Sequence, residues 1–139
     1  MPNSPKPRIL VVDDDARIRE SLGMLLLSVG FDVDMANNGA SAVSYLKGSV
    51  PDLIVSDLDM PEMSGMELIS HVRTQYPFVS IVAMSGDYQG EAVPACIIAD
   101  RFYPKGQHPH HLLTTIASLI ATNAARSTDE HRSRPAQDS

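Results

Sequence analysis

The stretch IVSDLDMPEMSG (54–65) ends an apolar run on a carboxylate, Asp57, and follows it with Asp59, Pro61 and Gly65. A carboxylate at the mouth of a core is costly unless something pairs with it. The same arrangement recurs along the chain. VVDDD closes on Asp13, Asp14 and Asp15, VSIVAMS closes on Ser85 before Gly86 and Asp87, and DRFYPK closes on Lys105. Two carboxylates about 5 Å apart repel by roughly 3 kcal/mol at an effective dielectric near 20. A hard divalent cation relieves that repulsion, and Mg²⁺ favours one or two carboxylates together with waters and phosphate oxygens. A lysine and a hydroxyl opposite the metal complete a site for a phosphoryl group. The remaining role is the nucleophile, and a carboxylate can fill it by forming an aspartyl-phosphate.

These groups converge only if the chain places the ends of its apolar runs along one edge. RILVVD (8–13), FDVDMA (31–36), DLIVSD (52–57), VSIVAMS (79–85) and DRFYPK (100–105) are short runs that suit strands. Between them the period changes. Ile18, Leu22, Leu25, Leu26 and Val29 fall on one helical face that Gly30 ends. NNGASAVSYLKG (37–48) predicts a short second helix, and the Ser64/Glu67 spacing of a capping box starts a third near Gly65, with Ile69, Val72 and Tyr76 inward. Gly90 and Pro94 make the helix expected within 86–99 short or irregular. A last helix begins near His108–Pro109, with Leu112, Leu113, Ile116, Leu119 and Ile120 on one face. Strand–helix alternation predicts an α/β fold whose parallel sheet is covered on both faces. Ligands in such sheets bind at the carboxyl ends of the strands, where this sequence puts its acids.

At 139 residues, 43% of them hydrophobic, the chain suits one domain. The expected organisation is an extended arm (1–7), the domain (8–121) and a polar, flexible tail (122–139). A formal charge of −6 argues against direct binding to nucleic acid or an anionic membrane. No apolar run is long enough to span a bilayer, and nothing behind MPNSPKPR reads as a secretory signal. The single cysteine, Cys96, leaves no internal disulfide, and a cytoplasmic location is the expectation. The HPHH run (108–111) lacks a partner cluster and reads as solvated histidines.

With VVDDD (11–15), DLDMPEMSG (57–65), MSG (84–86) and FYPK (102–105) in this order, the chain resembles the receiver domain of two-component response regulators. The resemblance covers residues 8 to about 121 and implies a flavodoxin-like (βα)5 fold, doubly wound, with strand order 2-1-3-4-5. It implies that Asp57 is the phosphoacceptor, with Asp14 as direct Mg²⁺ ligand and Asp13 acting through metal-bound water. Asp57 itself and the backbone carbonyl of Asp59 would complete the metal's protein ligands. Ser85 matches the switch hydroxyl, Lys105 the cation that binds the phosphoryl group, and Phe102 the switch aromatic. Gly65 matches a tight turn and Gly86 a small residue that admits the phosphoryl group, while Asp59 and Asp87 flank the site. The implied donor is a sensor histidine kinase or a phosphotransfer protein. Output would pass to a protein partner, from a monomer or a phosphorylation-dependent dimer.

The chain departs from the family around its lysine. Gly106 follows where proline is usual, and Pro104 precedes, so the backbone leaving the fifth strand is expected to differ. The first reading is a stand-alone receiver, with a receiver cut from a longer regulator as the alternative, and neither is an enzyme acting on another substrate. An enzyme reading rests on the Asp-x-Asp of haloacid-dehalogenase-type phosphatases. That family places the motif after its first strand and has Thr or Val where this chain has Pro61. A flavodoxin-like cofactor protein would need a Gly- or Ser/Thr-rich phosphate loop after strand one, and none follows.

Overall fold

The computed structural model describes residues 6–59, 65–85, 99–105 and 109–133. Five strands, β1 (Arg8–Val12), β2 (Asp32–Ala36), β3 (Leu53–Asp57), β4 (Ser80–Ser85) and β5 (Arg101–Pro104), form one parallel sheet in the order 2-1-3-4-5. The helices are α1 (Ala16–Ser28), α2 (Gly39–Gly48), α3 (Gly65–Gln75) and α4 (Pro109–Ser133). Burial explains the strand sequences. β3 and β4 are covered on both faces and buried throughout, so they read as continuous runs. β2 lies at an edge and exposes most of its residues, hence its weak alternation.

Side-chain alternation along the strands divides the core in two. Leu10, Val12, Ile54, Ile81 and Ala83 face Ala42 and Leu46 of α2 and Leu68, Ile69 and Val72 of α3. Ile9, Val11, Leu53, Val55, Val82 and Met84 face Leu22 and Leu26 of α1 and Leu112, Ile116 and Leu119 of α4. Asp15 caps α1 by accepting from the Arg17 N–H at 2.9 Å. At its other end Gly30, at φ 103°, allows the paired bonds Phe31 N–H to Leu26 C=O and Gly30 N–H to Leu27 C=O. Val29, predicted on the inner face, is the C-cap residue of this turn and is half exposed.

The last helix runs further than the apolar pattern of the sequence. Its backbone stays helical to Ser133, past the boundary near 121 where a flexible tail was expected. Residues 122–133 contain neither glycine nor proline, and Pro135 is the next breaker. Polar composition deprives a helix of core contacts without removing its propensity. The helix expected within 86–99, the cap residue Ser64 and the arm residues 1–5 lie outside the described residues. Among the described residues no helix is long and apolar enough to cross a membrane.

Gly65 opens α3 against the exit of β3. Its N–H donates to the Leu58 carbonyl at 3.3 Å. A Cβ there would lie 2.2 Å from the Asp57 carbonyl oxygen and 2.4 Å from Leu58 Cα, both backbone atoms that cannot swing aside. Gly65→Ala is therefore expected to lower stability by roughly 2–3 kcal/mol as α3 is pushed from the strand. Urea unfolding of the two proteins measures the difference, and an unchanged midpoint would contradict the close approach.

Candidate functional site

Register brings the strand ends together. Val12 pairs with Ser56, so Asp13 and Asp57 leave β1 and β3 side by side. Asp57 pairs with Met84, and Ser85 with Pro104, which sets Ser85 and then Lys105 along the same edge. Pro104 has no N–H to give, but β5 is the outer strand of the sheet, where that loss is tolerated. The following residue restores the ladder, since the Lys105 N–H donates to the Ser85 carbonyl at 2.9 Å. The departure from the usual lysine–proline order thus leaves the lysine backbone anchored.

Asp13 and Asp57 are buried, at 0% and 1% exposure, and one ammonium serves both. Lys105 Nζ lies 2.9 Å from Asp13 Oδ2 and 3.2 Å from Asp57 Oδ1. The exposed Asp14 completes a triad whose ligand oxygens lie within 4.8 Å of one another. Three carboxylates against one ammonium leave a surplus of negative charge at the sheet edge. The donor set fits a hard divalent cation, which takes oxygen ligands only. Asp13 Oδ2 supports that fit: it is buried and faces the ammonium, but no donor is aligned for a hydrogen bond to it among the described residues.

Backbone contacts shape the acids. Asp13 Oδ1 accepts from the Asp15 N–H at 2.9 Å, and Asp57 Oδ1 accepts from the Asp59 N–H at 3.1 Å. Burial, reinforced by the charge of Asp13, pushes the Asp57 carboxyl up to about 6, although the Asp59 N–H and Lys105 pull the other way. Burial alone would lower the Lys105 ammonium, yet Asp13 and Asp57 together hold it above its ordinary value. Both partners of this ion pair are thus raised. A single ammonium shared between two acids gains from both, while each acid receives only part of its charge.

Ser85 is buried, and its hydroxyl donates to Asp59 Oδ2 at 2.8 Å. Sequence reasoning placed Asp59 only as a flanking charge and a carbonyl ligand. In the structure it also holds the Asp57 carboxylate with its N–H and the Ser85 hydroxyl with its side chain. Phe102 stands apart from the acids. It pairs in register with Ala83 and packs, half-buried, on the core layer shared with α2 and α3. Gly86 and Asp87 lie outside the described residues. His110 and His111 are exposed at the start of α4 with ring centroids 6.5 Å apart, away from the acidic triad. A contact that the spacing did not announce is made by Arg19 in α1, whose Nη1 donates to the Asp13 carbonyl at 2.7 Å.

Known proteins resemble this chain in sequence and in fold. Among curated proteins, the response regulator MprA of Mycobacterium sp. (strain KMS) is 34% identical over 131 residues, covering 93% of this chain and 56% of MprA. The chain therefore spans about half the length of the curated relatives it matches. Among solved structures, the chemotaxis protein CheY4 of Vibrio cholerae superposes with a TM-score of 0.76 at 29% identity, covering 82% of this chain and 98% of CheY4. The response regulator TrrA of Thermotoga maritima, solved in complex with Mg²⁺ and BeF, gives a TM-score of 0.75 at 30% identity, covering 81% of this chain and 98% of TrrA. Residues 9–117 match the family model of the response regulator receiver domain, and with the acids, serine and lysine at the ends of their strands the chain belongs to that family.

Proposed function

We propose that the chain is a phosphoacceptor that takes a phosphoryl group from the phosphohistidine of a sensor kinase or phosphotransfer protein onto Asp57. The observation that carries this reading is the buried Asp57 carboxylate held within 3.2 Å of Lys105, beside Asp13 and Asp14. In the transfer, an Asp57 oxygen forms a bond to phosphorus, the P–N bond breaks, and its electron pair stays on the imidazole. Mg²⁺, held by Asp14, Asp57 and the Asp59 carbonyl, with Asp13 reaching it through water, would neutralise charge on the phosphoryl oxygens. The Mg²⁺ and BeF bound by the related TrrA agree with this assignment. Lys105 neutralises the phosphoryl oxygens from the other side, and Ser85 leaves Asp59 to donate to one of them. That movement shifts the end of β4 and biases Phe102 toward a more buried position, changing the surface that a protein partner reads.

The longer curated relatives favour a second reading of scope, a receiver that is one part of a longer regulator; the chemistry at Asp57 is the same in both. The site gives less support to a phosphatase acting on other substrates. Such an enzyme would use Asp59 as an acid toward a leaving group, whereas this carboxylate accepts from Ser85. The chain promotes only its own phosphorylation and dephosphorylation.

Acetyl phosphate with Mg²⁺ is expected to add one acid-stable, base-labile phosphate, absent in Asp57→Asn and in Asp14→Ala. Mass spectrometry reads the result, and equal labelling of Asp57→Asn would overturn the acceptor assignment.

The raised Asp57 carboxyl gives a second outcome. Its folded pKa of about 6 exceeds the usual carboxylate value of 3.8, so the folded state binds this proton more tightly than the unfolded one. Stability from this group is full below the unfolded value and is lost as pH rises through the folded one. Without Mg²⁺, Asp57→Asn is expected to stabilise the fold at pH 7.5 by on the order of 2 kcal/mol, with the gain shrinking toward pH 4.5. Urea unfolding in EDTA at the two pH values checks it. A destabilised variant at pH 7.5 would show that Lys105 outweighs burial.

A further inference from the structure

The acid turn between β1 and α1 has a fastening that the proposed chemistry does not use. The ladder from β1 to β2 ends with the Asp13 N–H donating to the Ala36 carbonyl at 3.2 Å. The next acceptor along the chain, the Asp13 carbonyl, lies past that bond, and Arg19 Nη1 donates to it at 2.7 Å. Arg19 is one turn inside α1, and its own N–H donates to the Asp15 carbonyl at 3.0 Å. Helical side chains lean toward the N-terminus, which directs this guanidinium back over the turn. Among the described residues no carboxylate lies within ion-pair distance of Arg19, unlike Arg17, whose Nε is 3.8 Å from Asp15. A half-buried arginine ordered on a backbone carbonyl has lost side-chain freedom to fix a piece of main chain.

That piece of main chain aims the metal ligands. The Asp13 carbonyl and the Asp14 N–H belong to one planar peptide, so holding the oxygen sets the direction in which Asp14 leaves. The bond from the Asp15 N–H to Asp13 Oδ1 fixes the turn from its other side. We infer that Arg19 is a positioning residue for the divalent-cation site, holding the Asp13–Asp14 peptide so that both carboxylates stay converged on Asp57. The inference rests on the Mg²⁺ reading of that site and adds to it a residue that touches neither metal nor phosphoryl group.

Charge and position predict opposite signs. Arg19 is a cation beside a cation site, so removing its charge alone would tighten Mg²⁺ binding. Removing the fastening lets the turn relax and weakens binding. Titration of the metal-free full chain with MgCl₂, followed calorimetrically, separates the two. Arg19→Met is expected to bind Mg²⁺ roughly tenfold more weakly, as loss of an outer partner to a ligand typically does, while Arg19→Lys keeps the affinity within about threefold. At saturating Mg²⁺ the Arg19→Met rate with acetyl phosphate is expected to stay within about twofold of the native rate, because Asp57 and Lys105 are intact. Thermal unfolding in EDTA verifies that the variant is folded, and Arg19→Gln, also neutral, supplies the comparison if Arg19→Met is not. A folded neutral variant that binds Mg²⁺ as tightly as the native chain, or more tightly, would overturn the inference while leaving the site reading intact. A native chain that binds no Mg²⁺ would overturn both.

Discussion

A single lysine ammonium shared between two buried carboxylates governs this molecule. Each acid taken from water needs a compensating charge, and Lys105 can lend each only part of one. It reaches them from the far edge of the sheet, since β4 lies between β5 and β3, and β3 between β4 and β1. The pairing therefore depends on the strand order and on registers that bring four strand ends level. A shift of one residue in β5 would turn Lys105 to the other face and leave Asp13 and Asp57 facing each other uncompensated. The apolar layers contribute most of the folding free energy, and this ion cluster sets how much of it is given back at one edge.

The location of the cluster follows from how parallel sheets end. Along β1 and β3 the chain is buried on both faces, so the last positions inside the ladder are still dry, as Ser56 at 0% exposure illustrates. One step further the ladder stops and backbone donors become available to side chains. Asp13 sits just past the end of β1 and Asp57 is the last residue of β3, each receiving an N–H from the residue two positions on. A carboxylate so placed is dry enough for its charge to be strongly felt. Gly65 serves the same end from the other side, since α3 abuts the Asp57 carbonyl too closely for any side chain there.

Much of this was legible in the residues because it depends on period and position. Continuous apolar runs identified the central strands, the weaker FDVDMA identified an edge, and the acids, Ser85 and Lys105 stood at the run ends. Where reading by composition failed, the cause is physical. Residues 122–133 are polar in sequence but keep their helix propensity, so the backbone of α4 runs on past residue 121. Val29 has the right period for the core, but the turn at Gly30 takes the chain out of helical register there. The Arg19–Asp13 and Ser85–Asp59 contacts were not legible, because the first depends on a rotamer and the second on how the ends of β3 and β4 approach. An arginine in DARIRE gives no sign that it will choose a carbonyl over a neighbouring carboxylate.

Asp59 draws these threads together. Its N–H steadies Asp57 and its carboxylate holds the hydroxyl of Ser85, so a single residue links the two. Under the proposed function Ser85 cannot serve the phosphoryl group and Asp59 at once, because a hydroxyl has one proton to donate. The bond to Asp59 therefore counts toward the resting arrangement and against the phosphorylated one. A net hydrogen bond to a charged acceptor is worth about 1.5–3 kcal/mol, the same range as a typical coupling free energy between sites. The Lys105 N–H bonds the Ser85 carbonyl, so β5 follows any movement of β4 at this end. Phe102 pairs in register with Ala83, two residues before Ser85, and packs on the same core layer, so it is placed where a change in that hydroxyl's partner can reach it.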